Sequence, residues 1–185
     1  MNSHSSAIWS AADTALLTVA DSLTEAVAAG QAGATMIDVG DRDPELIAAI
    51  RGSVARVIIC GDDESADVVR DPAVALRTGA RLICADIAAA ETAVGAGIAR
   101  ERILVTVPAT EVDAALRAGW ATLTDVDTSV GTRGLAGAEA IAAVCAWLGA
   151  TAVRTRHVAP IRRSLDMAKS VLGTRPPAWA IRGLA

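Results

Sequence analysis

Phenylalanine and tyrosine are absent from this chain of 185 residues, and four tryptophans supply all its aromatic bulk. The core must therefore be assembled from Ala, Val, Ile and Leu, which suits layered strands and helices. Lysine is nearly missing too, with Lys169 the sole example. Without stacking aromatics or lysine-rich runs, a nucleic-acid partner is not expected. The opening "MNSHSSAIWS" has no basic stretch followed by an apolar run, so it predicts no secretory signal. No uncharged apolar run reaches about 18 residues, so no membrane span is expected and the cytoplasm is the expected location. Cys60, Cys84 and Cys145 are odd in number and far apart, unlike a metal site or a disulfide framework. They read as small buried hydrophobes, and neither a metal nor a cofactor is expected.

What is present is a folded, alternating pattern. Hydrophobic residues make up 52% of the chain, a globular rather than a disordered composition. The net charge of −4 hides an asymmetry. Residues 151–185 hold seven Lys and Arg against one acid, Asp166, whereas the rest holds ten against twenty. No linker or composition break appears, so residues 1–185 are expected to form one domain.

Short runs rich in Val, Ile and Leu predict strands at "ALLTVA" (15–20), "TMIDVG" (35–40), "VARVIIC" (54–60), "RLICAD" (81–86), "RILVTV" (102–107), "ATLTDV" (121–126) and "TAVRTRHV" (151–158). Amphipathic helical patterns lie between them: Leu23, Ala26, Val27 and Gly30 share one face, and Ile161, Leu165, Ala168 and Leu172 another. Pro160 fits the first position of the last helix. This repetition predicts an α/β fold, a TIM-barrel-like (β/α) repeat of about seven strands, one unit shorter than a full (β/α)8 barrel. A doubly wound open sheet is the competitor. It normally places a glycine cluster after the first strand, and "ADSLTEA" has none.

Ligands in such folds sit at the carboxyl ends of the strands. Those positions here carry Asp21, Asp38, Asp41, Asp62, Asp86, Asp125, Asp127, Arg154, Arg156 and His157. Any one aspartate there is more often a helix cap, as Asp21 is expected to be before "SLTEA". The last strand is more telling. Alternation puts Arg154 and Arg156 on one face, opposite the similarly spaced Asp125 and Asp127. Two guanidiniums near a barrel mouth need either those aspartates or a bound anion as partners. Spacing alone leaves both open. On the last helix, Arg162, Asp166 and Lys169 share a spacing that predicts a solvated face of weak ion pairs without function.

Several stretches together resemble dihydropteroate synthase, a pterin-binding barrel family of folate synthesis. "GATMIDVG" (33–40) resembles the family's second strand and "LLTVADSL" (16–23) its first. "AGIARERILVTVP" (96–108) is similar to the entry into its sixth strand, and residues 131–171 to its closing helix–strand–helix. The resemblance implies a phosphorylated small-molecule ligand. It also exposes departures. Ala85 and Val107 stand where the family's pterin-holding Asn and Asp are expected, and Asp127-Thr128-Ser129 where its Ser-Arg-Lys falls. Leu17 or Thr18 matches the first-strand Asn, Lys169 cannot replace the family's lysine, and the fifth strand is expected to be deleted. The family's Arg-x-His becomes Arg154-x-Arg156, with His157 at the family's Asp position.

These readings imply a synthase-like protein without synthase activity, retaining an anion or phosphate pocket of Arg154, Arg156 and the amides near Gly131 and Thr132. One alternative is an interaction protein, a homodimer or a heteromer with an active synthase, with Trp120, Trp147 and Trp179 as contacts over open sheet edges. Another is an enzyme of altered specificity with Asp62 or Asp125 as base.

Overall fold

A computed structural model describes residues 14–41, 44–129 and 134–174. Eight parallel strands close into a barrel in chain order: β1 (Ala15–Val19), β2 (Met36–Asp38), β3 (Ile58–Cys60), β4 (Val68–Val69), β5 (Arg81–Cys84), β6 (Ile103–Thr106), β7 (Ala121–Asp125) and β8 (Ala152–Arg154). Closure comes from β8 lying beside β1, with Ala15 opposite Ala152 and Leu17 opposite Arg154.

The expectation of about seven strands is corrected by β4. It is only two residues long, yet Val68 pairs with Cys60 on one side and Arg81 on the other. Nothing is deleted between "RLICAD" and "RILVTV", which form β5 and β6. The missing piece is a helix. Residues 61–67 link β3 to β4 without one, although parallel neighbours usually need a dozen or more residues for the crossover. Polar bonds hold this short link. Asp67 accepts the Ile59 amide (2.9 Å) and an Arg51 guanidinium N–H (2.9 Å), and Arg51 also reaches the Ser65 carbonyl (2.7 Å). Closure also removes the open sheet edges expected of a shortened barrel.

Seven helices surround the sheet among the described residues: α1 (Leu23–Gln31), α2 (Pro44–Ser53), α3 (Pro72–Thr78), α4 (Ile87–Gly95), α5 (Val112–Arg117), α6 (Gly134–Leu148) and α7 (Val158–Val171). Their starts are chemically marked. Asp71 and Asp86 accept amides of α3 and α4. Ser22, not Asp21, caps α1, while Glu25 reaches back to the Asp21 amide (2.7 Å). Because α7 begins at Val158, Pro160 sits third rather than first, where its missing N–H is still harmless.

Strand alternation divides the core in two. Leu16, Ile37, Ile59, Leu82 and Val153 face the helices. Leu17, Met36, Cys60, Val68, Leu104, Leu123 and Ala152 fill the barrel interior. Aliphatic side chains thus pack both layers, as the lack of Phe and Tyr requires. Trp120 is buried, with the Arg100 guanidinium 3.9 Å above its ring. The last helix corrects the solvated-face expectation. Lys169 is buried, and Arg162, ion-paired with Asp166, lies against Gly33, where a Cβ would meet its Cγ at 2.8 Å. Among the described residues, no helix is long and apolar enough to cross a membrane.

Candidate functional site: the barrel mouth

The carboxyl ends of the strands surround a cavity of ≈ 420 Å³. Leu17, Ile83, Ala85 and Leu123 make its apolar wall, and Thr106, Asp38, Arg70, Asp125 and Arg154 supply the polar groups. A smaller recess of ≈ 190 Å³ adjoins β1, β7 and β8, lined by residues including Asp125, Asp127, Arg154 and Arg156.

One side of the mouth is closed by an ion-pair clamp. Asp38, at the end of β2, is only 3% exposed. Its Oδ1 accepts the Gly40 amide at 3.0 Å, and its Oδ2 is paired with Arg70. Gly40 has φ +62°, the left-handed conformation that glycine adopts without penalty. Arg70 follows β4 directly and also donates to Asp62 Oδ1 (3.0 Å) on the rim. Burial works against the Arg70 charge, but the hydrogen bonds and charges of Asp38 and Asp62 outweigh it, leaving its pKa above the usual guanidinium value.

The other side is open. Arg154 ends β8, is partly buried, and lines both the cavity and the recess. Asp125 is its register neighbour on β7, yet the two form no ion pair. Asp125 Oδ1 instead accepts the amides of Asp127 and Thr128, both at 3.0 Å. Asp127 is likewise spent on backbone order. It accepts the Thr155 hydroxyl (2.8 Å) and the Arg156 amide (2.8 Å). The Arg156 guanidinium is 3.8 Å from Asp127 with its side chain 79% exposed, and its Nε donates to His157 Nε2 at 3.3 Å. The backbone carbonyl of Arg154 accepts the Val126 amide (3.0 Å), but its guanidinium has no hydrogen-bond or ion-pair partner among the described residues. The two alternatives left by strand spacing therefore part: Asp127 braces Arg156, and neither aspartate neutralises Arg154 by contact.

Arg154, Arg156, Asp38, Asp125 and Asp127 thus meet at one mouth, with Asp62 on its rim. Gly131 and Thr132 lie outside the described residues. Arg70 is the cavity-lining charged side chain that sequence reasoning missed. Its partners lie 32 and 8 residues away, and only the short "VVRDP" stretch before a helix cap hinted at a strand end. Beside Asp38, as its register partner on β3, lies Cys60, facing the barrel interior. Burial, then the Asp38 charge, pushes its thiol pKa far up despite Arg70 and Arg154, so it is no nucleophile at neutral pH. No cluster of three metal-ligating side chains occurs among the described residues.

Comparison with known proteins gives the chain relatives in sequence and in fold. No family model matches the chain. The inactive dihydropteroate synthase 2 of Mycobacterium tuberculosis is 36% identical over 121 residues, which cover 53% of this chain and 38% of that protein. The match thus spans about two fifths of the relative's length. The solved structure of Mycobacterium tuberculosis Rv1207 superposes with a TM-score of 0.69 at 27% identity, covering 89% of this chain and 94% of that one. The chain thus resembles the inactive dihydropteroate synthase 2 in sequence over about half its length. The Yersinia pestis dihydropteroate synthase shares the fold, with a TM-score of 0.72 at 15% identity over 88% of this chain and 94% of that one. Measured against the synthase pattern, Ala85 gives the cavity a bare methyl group, and Val107 is buried at the edge of a neighbouring pocket. Neither side chain can hold a heterocycle by hydrogen bonds.

Proposed function

We propose that this protein is a cytoplasmic, catalytically silent relative of dihydropteroate synthase that binds a phosphate-like group at the open side of its barrel mouth. The observation that carries this reading is Arg154: a partly buried guanidinium aimed into a cavity without an ion-pair partner among the described residues. The guanidinium nitrogens of Arg154 are not among the buried unpartnered atoms, so an incoming anion would replace water on them. A guanidinium presents a fork of donors matched to carboxylate and phosphate oxygens. Arg156, exposed above the recess, adds attraction rather than a fixed contact. Loss of synthase chemistry is supported by Ala85 and Val107, by the engaged Asp38, and by the inactive name of the Mycobacterium tuberculosis relative. An enzyme using Asp62 or Asp125 as base is disfavoured, since Asp62 is held by Arg70 and Asp125 by two amides.

Calorimetric titration with inorganic phosphate tests the reading. Binding is expected in the wild type and a loss of about tenfold or more in Arg154→Ala, the scale of one charge-assisted contact. No heat change in the wild type, or equal affinity in the variant, contradicts it.

Self-association is a second reading, favoured by one surface. Helix α6 carries a single charged residue, Glu139, in fifteen positions, and it exposes Val144 and Trp147. Its neighbour α7 exposes Met167 and Val171. Such adjoining apolar surface commonly marks an interface. Trp120, by contrast, is core, and Trp179 lies outside the described residues. Light scattering is expected to show a dimer of the 18.8 kDa chain; a clean monomer at micromolar concentration rules it out.

A further inference from the structure

Arg70 and Arg154 share one cavity but lie on opposite sides of it, since β4 and β8 are four strands apart in the ring of eight. Their roles differ. Two Arg70 nitrogens are held by Asp38 and Asp62, and both oxygens of Asp38 are occupied. The ionisable side chains lining the cavity are Asp38, Arg70, Asp125 and Arg154, whose charges cancel. Without Arg70 the sum turns negative, and a buried carboxylate faces the ligand.

We infer that Arg70 determines the charge specificity of the mouth: by masking Asp38 and Asp62 it lets a compact anionic ligand head settle on Arg154 and excludes cationic ligands. The rest of the wall, Leu17, Ile83, Ala85 and Leu123, suits a small apolar body behind that head. A ligand with a second acidic end gains little, because Arg70 is already neutralised by two carboxylates. The inference rests on the anion reading of Arg154 and adds the residue that makes it selective.

Phosphate titration at constant ionic strength separates the two claims. Arg70→Gln is expected to weaken phosphate binding about tenfold, the effect of one unit charge across a partly desolvated cavity. Arg70→Lys, which keeps the charge, is expected to restore affinity to within about threefold of wild type. Asp62→Asn removes an exposed acid and is expected to strengthen binding about twofold. The opposite signs are decisive, because a purely bracing role for Arg70 would lower melting temperature in both variants without moving affinity in opposite directions. Should Arg70→Gln not fold, Asp62→Asn decides alone, and unchanged or weakened binding there overturns the inference. Phosphate binding that depends on Arg154 but ignores Arg70 and Asp62 overturns only the role of Arg70. Absence of binding in the wild type overturns both.

Discussion

The two halves of the barrel mouth carry similar residues in opposite states. On the β2–β4 side, Arg70 is paired with Asp38 and Asp62. On the β7–β8 side, Arg154 stands beside Asp125 and near Asp127, yet both acids spend themselves on backbone amides and the Thr155 hydroxyl. An aspartate near an arginine is therefore not evidence of an ion pair. What decides is whether the loop takes the carboxylate first. In the β7–β8 region the turn after Asp125 does so, and an arginine is left for something else.

The contrast makes the halves respond differently to substitution. The largest effect is expected on the closed side. Asp38→Asn should lower unfolding free energy by about 2 kcal/mol, less than the full cost of breaking a buried pair because Arg70 is partly exposed and keeps Asp62. Denaturant melts measure it, and an unchanged midpoint would mean the clamp does not hold the mouth. Next is Asp127→Ala, which removes acceptors from the Thr155 hydroxyl and the Arg156 amide and should cost about 1–2 kcal/mol. Hydrogen exchange should quicken at Arg156 while β2 stays protected.

The smallest stability effect is expected at Arg154 itself. Without an anion, Arg154→Met should melt within about 0.5 kcal/mol of wild type or slightly above it, since no protein ion pair is lost. A loss as large as that of Asp38→Asn would place Arg154 in the scaffold rather than in a site.

Alkaline pH offers a check that the interior layers are as sealed as this comparison requires. Burial, only partly offset by a Thr124 hydrogen bond, raises the Cys145 thiol from 9.0 to about 11. A raised thiol pKa means that the folded state holds the proton more tightly than the unfolded chain. The associated stability is fully present below about pH 9 and is lost as pH rises towards 11. Thermal melts from pH 8 to 11 should fall across that window in wild type and fall less in Cys145→Ala.

The layered architecture was legible because buried parallel strands announce themselves as runs such as "MID" and "ILVT". β4 was not, because two valines between Asp67 and Arg70 carry no periodicity and the preceding link has no helix to signal a repeat. Counting strand–helix units thus loses a strand wherever a helix is lost. Arg154 was legible from the two-residue spacing at the end of β8. Its lack of a partner was not, since that depends on hydrogen bonds which Asp125 and Asp127 make to their own loop and to the residues that follow β8. Lys169 and Arg162 showed the reverse failure: helical spacing suggested solvent, but packing around α7 buries the lysine and lays the arginine over Gly33.

A crystal structure obtained in the presence of phosphate tests the central claim most directly. Density for an anion is expected within hydrogen-bond distance of the Arg154 guanidinium, with Arg70 still bound to Asp38 and Asp62. An empty Arg154 whose guanidinium has turned onto Asp125 would contradict it.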